Sequence, residues 1–226
     1  MRKQFLACLT ACTLLFFSCS KDKPGTNLPQ APTAKAEYDH SNYGVYKGVI
    51  GRPNGIVDIN LMNDGKVSAK IIIDNVTYLF TTTDLLLKDQ PCVLVFHNAN
   101  SYFKLYVSAD GNYAAIEEFV LENYPFVKTV ITKETSDAMV KRYETTYTSF
   151  SSTETYFMVL NNNKIGGLFE QNNTSTIAFT GIVSGNDILI SSYNEYYLTG
   201  QTSGENISGK WDIGNSSGTW TSKRVY

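Results

Sequence analysis

Histidine is nearly missing from this chain, which holds only His40 and His97 among 226 residues. Metal sites take three or four ligands at productive spacing. No His/Cys/Asp/Glu cluster supplies them, so neither a metal nor another cofactor is expected. A Ser-His-Asp or Cys-His engine must draw on the same two histidines. Cys92 and His97 are five positions apart, an odd offset that sends them to opposite faces of a strand. Carboxylate pairs fare no better. Glu117 and Glu118 are adjacent, so a strand points them apart, while Glu118 and Glu122 have the spacing to share a face. The glycines fall in hairpin-type turns, and none forms a phosphate-binding loop. No apolar run approaches the 20 or so residues of a membrane-spanning helix. Basic residues are in slight deficit, 19 Lys+Arg against 21 Asp+Glu, so nucleic acid is not an expected partner. Together these absences lean against an enzyme, with a hydrolase the least disfavoured kind.

What is present starts at the N-terminus. Arg2 and Lys3 precede an apolar run from Phe5 to Phe17, and Ser18-Cys19 closes it. A basic start, a short apolar stretch and a small residue before the cut make a secretory signal. Ending in cysteine, it resembles the signal of bacterial lipoproteins, in which the cysteine is acylated, with palmitate among the acyl chains, and becomes the new N-terminus. Leu9-Thr10-Ala11-Cys12 fits that pattern more closely, but cutting there leaves too short an apolar core. Residues 1–18 are therefore read as signal peptide and Cys19 as the lipidation site. An ordinary signal peptide with an incidental cysteine is the alternative. In bacterial sorting an Asp after the cysteine retains the protein at the inner membrane. Ser20 stands there instead, which points to the outer membrane. Residues 19–37 hold Pro24, Pro29 and Pro32, half of the six prolines. They read as lipidated Cys and flexible tether. With Cys19 acylated, Cys92 has no disulfide partner.

Beyond the tether, two-residue alternation dominates. Val57, Ile59 and Leu61 share one face and Asp58 and Asn60 the other; Asn63-Asp64-Gly65 turns the chain; Val67, Ala69, Ile71 and Ile73 resume the pattern. Further strands are expected over 76–82, 93–97, 102–107, 114–121 and 126–131. A second set is expected over 142–150, 155–160, 164–170, 174–183, 187–191, 195–201, 206–211 and 218–224. Turns rich in Asn, Ser and Gly join them, and no link is long enough for a parallel crossover. Thr135-Ser136-Asp137 before Ala138-Met139-Val140-Lys141 carries a helix-start signal. The expected fold is all-β: antiparallel up-and-down meanders forming one or two small barrels or sandwiches, with one short helix near the middle. The expected division is a first meander over 38–133, a short helical connection over 134–141 and a second meander over 142–226.

Several segments together carry a resemblance. The lipoprotein-type start, Lys21-Asp22-Lys23, Tyr46-Lys47-Gly48-Val49-Ile50, Ile207-Ser208-Gly209-Lys210-Trp211 and Ser217-Gly218-Thr219-Trp220-Thr221 resemble uncharacterised small envelope lipoproteins of Bacteroidota-type bacteria. The resemblance implies an envelope location and an all-β body, and brings no catalytic residue. Aromatics are the suggestive excess, with 15 Tyr, 12 Phe and 2 Trp. Tyr193, Tyr196 and Tyr197 cluster around a hairpin, and Trp211 lies in the last two strands, which makes these four the candidate ligand-binding residues. The expected function is a membrane-anchored, non-enzymatic binding module for a glycan or small apolar ligand. The alternative is a structural or assembly lipoprotein docking on an envelope protein. The first predicts an apolar pocket or an exposed aromatic platform; the second predicts a filled interior and an apolar patch.

Overall fold

The computed structural model describes residues 28–122, 124, 127–148, 153–171, 175–192, 197–213 and 216–225. Residues 1–18, read above as a signal peptide, and Cys19 lie outside them. The chain is all-β. The first eight strands are β1 (Gly44–Gly51), β2 (Gly55–Leu61), β3 (Val67–Ile73), β4 (Val76–Thr81), β5 (Cys92–Asn98), β6 (Ser101–Val107), β7 (Ala114–Val120) and β8 (Lys128–Glu134). The second eight are β9 (Val140–Thr148), β10 (Thr153–Asn161), β11 (Lys164–Gln171), β12 (Ser175–Ser184), β13 (Asp187–Ser192), β14 (Tyr197–Ser203), β15 (Asn206–Ile213) and β16 (Ser216–Arg224).

The alternating segments form hairpins because each one has a single apolar face to hide. Their turns supply the left-handed backbone that tight hairpins need: Asp74 and Asn75 both have positive φ between β3 and β4, as does Gly185 between β12 and β13. Strands β1–β7 run as a simple meander, and β8 returns to pair with β1, giving the order β7-β6-β5-β4-β3-β2-β1-β8. Strands β9–β16 close into a barrel, β16 pairing with β9 from Thr219↔Thr148 to Arg224↔Tyr143.

Both interiors are filled with side chains. In the first sheet Phe96 stacks on Phe103 at 4.8 Å, and Phe80 and Phe119 meet the same Phe103 ring at 5.3 and 5.6 Å. In the second, Tyr143, Tyr156, Met158, Phe179, Trp211 and Trp220 converge. Strand β1 is buried along its whole length. One face carries Tyr46 and Ile50 into the first core. Val49, on the other face, packs with Val130 against Val140, Phe157 and Val159 of the second barrel. Polar contacts flank that apolar seam: Arg142 donates to Asp58 at 2.7 Å, and the Asn161 amide donates to the Lys133 carbonyl at 2.6 Å.

Two expectations need correction. No helix stands near the middle, and the one helical element among the described residues is a 3-10 turn, Ala36–Tyr38. Thr135 and Ala138 instead close a tight turn on each other's backbone. The capping residues have other partners there: Thr135 donates to Asp137, and Ser136 donates through N–H and hydroxyl to Asp39 at 2.8 and 2.6 Å. The five residues 135–139 between β8 and β9 are fully used in turning the chain. Nor is the whole of 19–37 a free tether, because from Pro29 onward the chain is strapped to the fold. The Pro29 carbonyl accepts from Arg224, Thr33 donates twice to Glu134, and Lys35 N–H donates to Asn63, whose amide returns a bond to the Thr33 carbonyl. An extended, proline-containing segment leaves its backbone groups unpaired, and buried side chains of both halves satisfy them.

Candidate functional site

The four aromatic candidates do not form a described platform. Tyr193 and Tyr196 lie outside the described residues. Tyr197 opens β14, but its side chain is not among the described ones. Trp211 is buried at 4 % exposure. It stacks on Tyr147 at 4.6 Å, and its indole N–H donates to the Thr148 carbonyl. The ring is core rather than a surface for ligands. Opposite it stands Gly218, where an added Cβ would lie 2.4 Å from the indole nitrogen.

A different aromatic surface is exposed on the outer face of β5–β7. In β6, Ser101, Phe103, Leu105 and Val107 point inward and are buried, so Tyr102, Lys104 and Tyr106 face out. Register places His97 opposite Tyr102, Val95 opposite Lys104 and Val93 opposite Tyr106. On the other side Val120, Glu118 and Ala115 complete the rows. A bulge between the Lys104 and Leu105 pairings lets Ile116 and Phe119, three positions apart, both pack toward the core. It leaves Glu118 on the outer face beside Lys104.

Two pairs of rings result. Tyr106 meets Tyr113 at 5.8 Å, and His97 meets Tyr102 at 6.2 Å. Tyr102 and Tyr106 are four residues apart on one strand, so the pairs stand about 13 Å apart along β6. Between them Glu118 accepts from Lys104 and from the Tyr102 hydroxyl, each at 2.5 Å. Tyr113 is 62 % exposed, Val93 53 % and Val120 42 %, so the face is open to a partner.

The electrostatics hold the cluster in its charged form. The Lys104 and Tyr102 hydrogen bonds hold the Glu118 carboxyl below its ordinary range. The same Glu118 contacts push Lys104 and Tyr102 up. Glu118 therefore stays ionised at neutral pH, where it cannot act as a general acid. Cys92 packs against the first core, and burial pushes its thiol up, while His97 faces outward at the other end of β5. The two do not meet. Among the described residues no group of three or more His, Cys, Asp or Glu is placed to hold a metal, and no helix is long and apolar enough to cross a membrane.

The residues of this face were readable by parity. In a strand whose odd positions are Phe103, Leu105 and Val107, tyrosines at 102 and 106 must face solvent or a partner. What parity does not supply is Tyr113 or the neighbouring strands, which depend on pairing. No protein-family model, no curated protein and no solved structure matches this chain.

Proposed function

We propose that this protein is a lipid-anchored, non-enzymatic binding module of the bacterial envelope that holds a glycan on the outer face of β5–β7. The supporting observation is the pair of ring clusters, Tyr106/Tyr113 and His97/Tyr102, spaced along one strand with Lys104 and Glu118 between them. Rings offer stacking surfaces to the apolar faces of sugars, and the charged pair with the tyrosine hydroxyls offers hydrogen bonds to sugar hydroxyls. A row of stacking sites along a strand fits a linear chain of sugars better than a single one. The packed interiors favour this outer surface over a small apolar ligand held inside a barrel. Val93 and Val120 at the margins support a second reading, a docking face for an envelope protein.

A glycan array followed by calorimetry tests the first reading. Tyr106→Ala is expected to weaken binding about tenfold, the equivalent of about 1.4 kcal/mol, with the melting temperature nearly unchanged because the ring is on the surface. Absence of binding to every glycan would rule the sugar reading out and leave the protein-docking one.

The anchor is proposed on Cys19 and the apolar run before it. More than one acyl chain gives firm attachment, where a single chain is marginal. Cys19→Ala is expected to shift the protein from the membrane to the soluble fraction. Retention of that variant on membranes through a carbonate wash would count against a lipid anchor, and with it the outer-membrane location proposed here.

A further inference from the structure

The loop between β4 and β5 presents leucines to solvent. Leu85 is 79 % exposed and Leu87 is 55 % exposed, while Leu86 between them is buried against the first core. The presentation is built. Asn42 is fully buried, and its amide donates to the carbonyls of Leu87 and Gln90 at 2.8 and 2.7 Å. Its oxygen accepts from Asp89 N–H at 2.8 Å. The Tyr43 hydroxyl donates to the Leu86 carbonyl. Asp84 turns back to the Val95 N–H at 2.6 Å. A buried amide spent on one loop fixes its backbone, so the two leucines stand outward without the freedom to fold back.

The direction they face is set by the strand register. Glu134 aligns with Val45, Gly44 with Leu61, Leu61 with Val67, and Ser68 with Thr81. The end of β8 and the loop leaving β4 therefore share one end of the first sheet. The strap crosses that end: Thr33 bonds Glu134, and Lys35 bonds Asn63 in the β2–β3 turn. It leads to Tyr38, whose ring lies 5.6 Å from the Lys88 ammonium. In the anchored form Cys19 is the first residue, and the short chain that follows it leads into the start of this strap.

We infer that Leu85 and Leu87 dip into the surface of the bilayer that holds the anchor, so that the protein rests on the membrane by this end. The inference depends on the anchor at Cys19 and not on the glycan face. The lipid is met through apolar contact. Lys35 and Lys88 are balanced nearby by Glu37 and Asp89, so a zwitterionic surface fits as well as an anionic one.

The test uses the full acylated chain reconstituted in phosphatidylcholine vesicles. Leu85→Trp places a fluorophore at the loop tip, and Ile182→Trp places one on the exposed outer face of β12. The added emission of Leu85→Trp is expected to shift to the blue and to be quenched by lipids carrying a nitroxide just below the headgroup. That of Ile182→Trp is expected to stay unshifted and unquenched. Equal, unquenched emission from both variants on vesicle-bound protein overturns the docking and leaves the anchor intact. Protein that does not remain with the vesicles overturns both. A blue shift of Leu85→Trp that needs no vesicles and grows with protein concentration assigns the loop to a second copy and overturns the lipid assignment.

Discussion

Replacing Glu134 with alanine is expected to cost about 3–5 kcal/mol of stability, the range for breaking a buried ion pair by removing one partner. Glu134 is fully buried at the end of β8. One oxygen accepts from the Thr33 N–H and hydroxyl at 2.8 and 2.7 Å. The other accepts from Lys47 at 2.6 Å and from the Val140 N–H at 3.0 Å. A single carboxylate thus joins the strap, β1, β8 and the first residue of the second barrel. Without it the Lys47 ammonium, whose side chain is 10 % exposed, loses its hydrogen-bonded counter-charge.

The companion variant makes the expectation sharper. Lys47→Met with Glu134→Leu removes both charges and should recover much of the loss, because an apolar pair of similar size can replace a buried ion pair. Recovery stays partial, since the donors of Thr33 and Val140 remain unsatisfied. Urea unfolding measures all three proteins. A cost for Glu134→Ala below about 1 kcal/mol, the range of surface pairs, would show that the carboxylate does not join the two halves.

The acid side carries the same signature. Burial pushes the Glu134 carboxyl up, but the bonds from Lys47 and Thr33 pull it further down, so its folded pKa lies below the ordinary glutamate range. A depressed folded pKa means stability that is present above the unfolded value, about 4.3, and lost as pH falls through the folded one. Wild-type protein should lose this contribution only in that acid window, and Glu134→Ala should lack that part of the pH dependence.

Trp220→Ala is the second large expectation, at about 3–5 kcal/mol. The ring is 1 % exposed inside the second barrel, and its N–H donates to the Lys210 carbonyl at 3.2 Å. It sits on Gly200, where an added Cβ would lie 2.5 Å from the indole. The barrel gains a large ring by giving up a side chain across the strand from it. Gly200→Ala is therefore expected to cost about 1–3 kcal/mol by overpacking. The double variant should cost clearly less than the sum, because the alanine at 200 then enters space that the indole has left. Strict additivity in thermal melts would contradict the seat.

Much of this architecture was legible in the sequence, because alternation such as Val57-Asp58-Ile59-Asn60-Leu61 and turns such as Asp74-Asn75 are local signals. The strands they announce are present. The helix expected over 134–141 failed because a capping signal is indifferent to its acceptor: Ser136 serves Asp39, nearly a hundred residues earlier, instead of its own turn. The strap was hidden for a related reason. Thr33 and Lys35 look like linker residues until Glu134 and Asn63 are placed beside them. Trp211 reads in the sequence as a ligand surface, yet it shares its parity on β15 with Ile207, and both side chains of that face turn inward and are buried. Tyr102 and Tyr106 carried the converse sign on β6. Lys47, Arg142 and Glu134 could not have been sorted from surface charges, since their partners come from distant strands.

The placement of β8 against β1, and of β16 against β9, has a kinetic consequence. In each half the opening strand gains its second neighbour only when the closing strand has been made. Every hairpin between them is local, but the step that completes each sheet joins ends far apart in the chain and must overcome the entropy of a large loop first. Chains dominated by such distant pairings fold in roughly milliseconds to seconds, not microseconds. A polypeptide that locks this late commits to its final shape only once its last strand is free to pair.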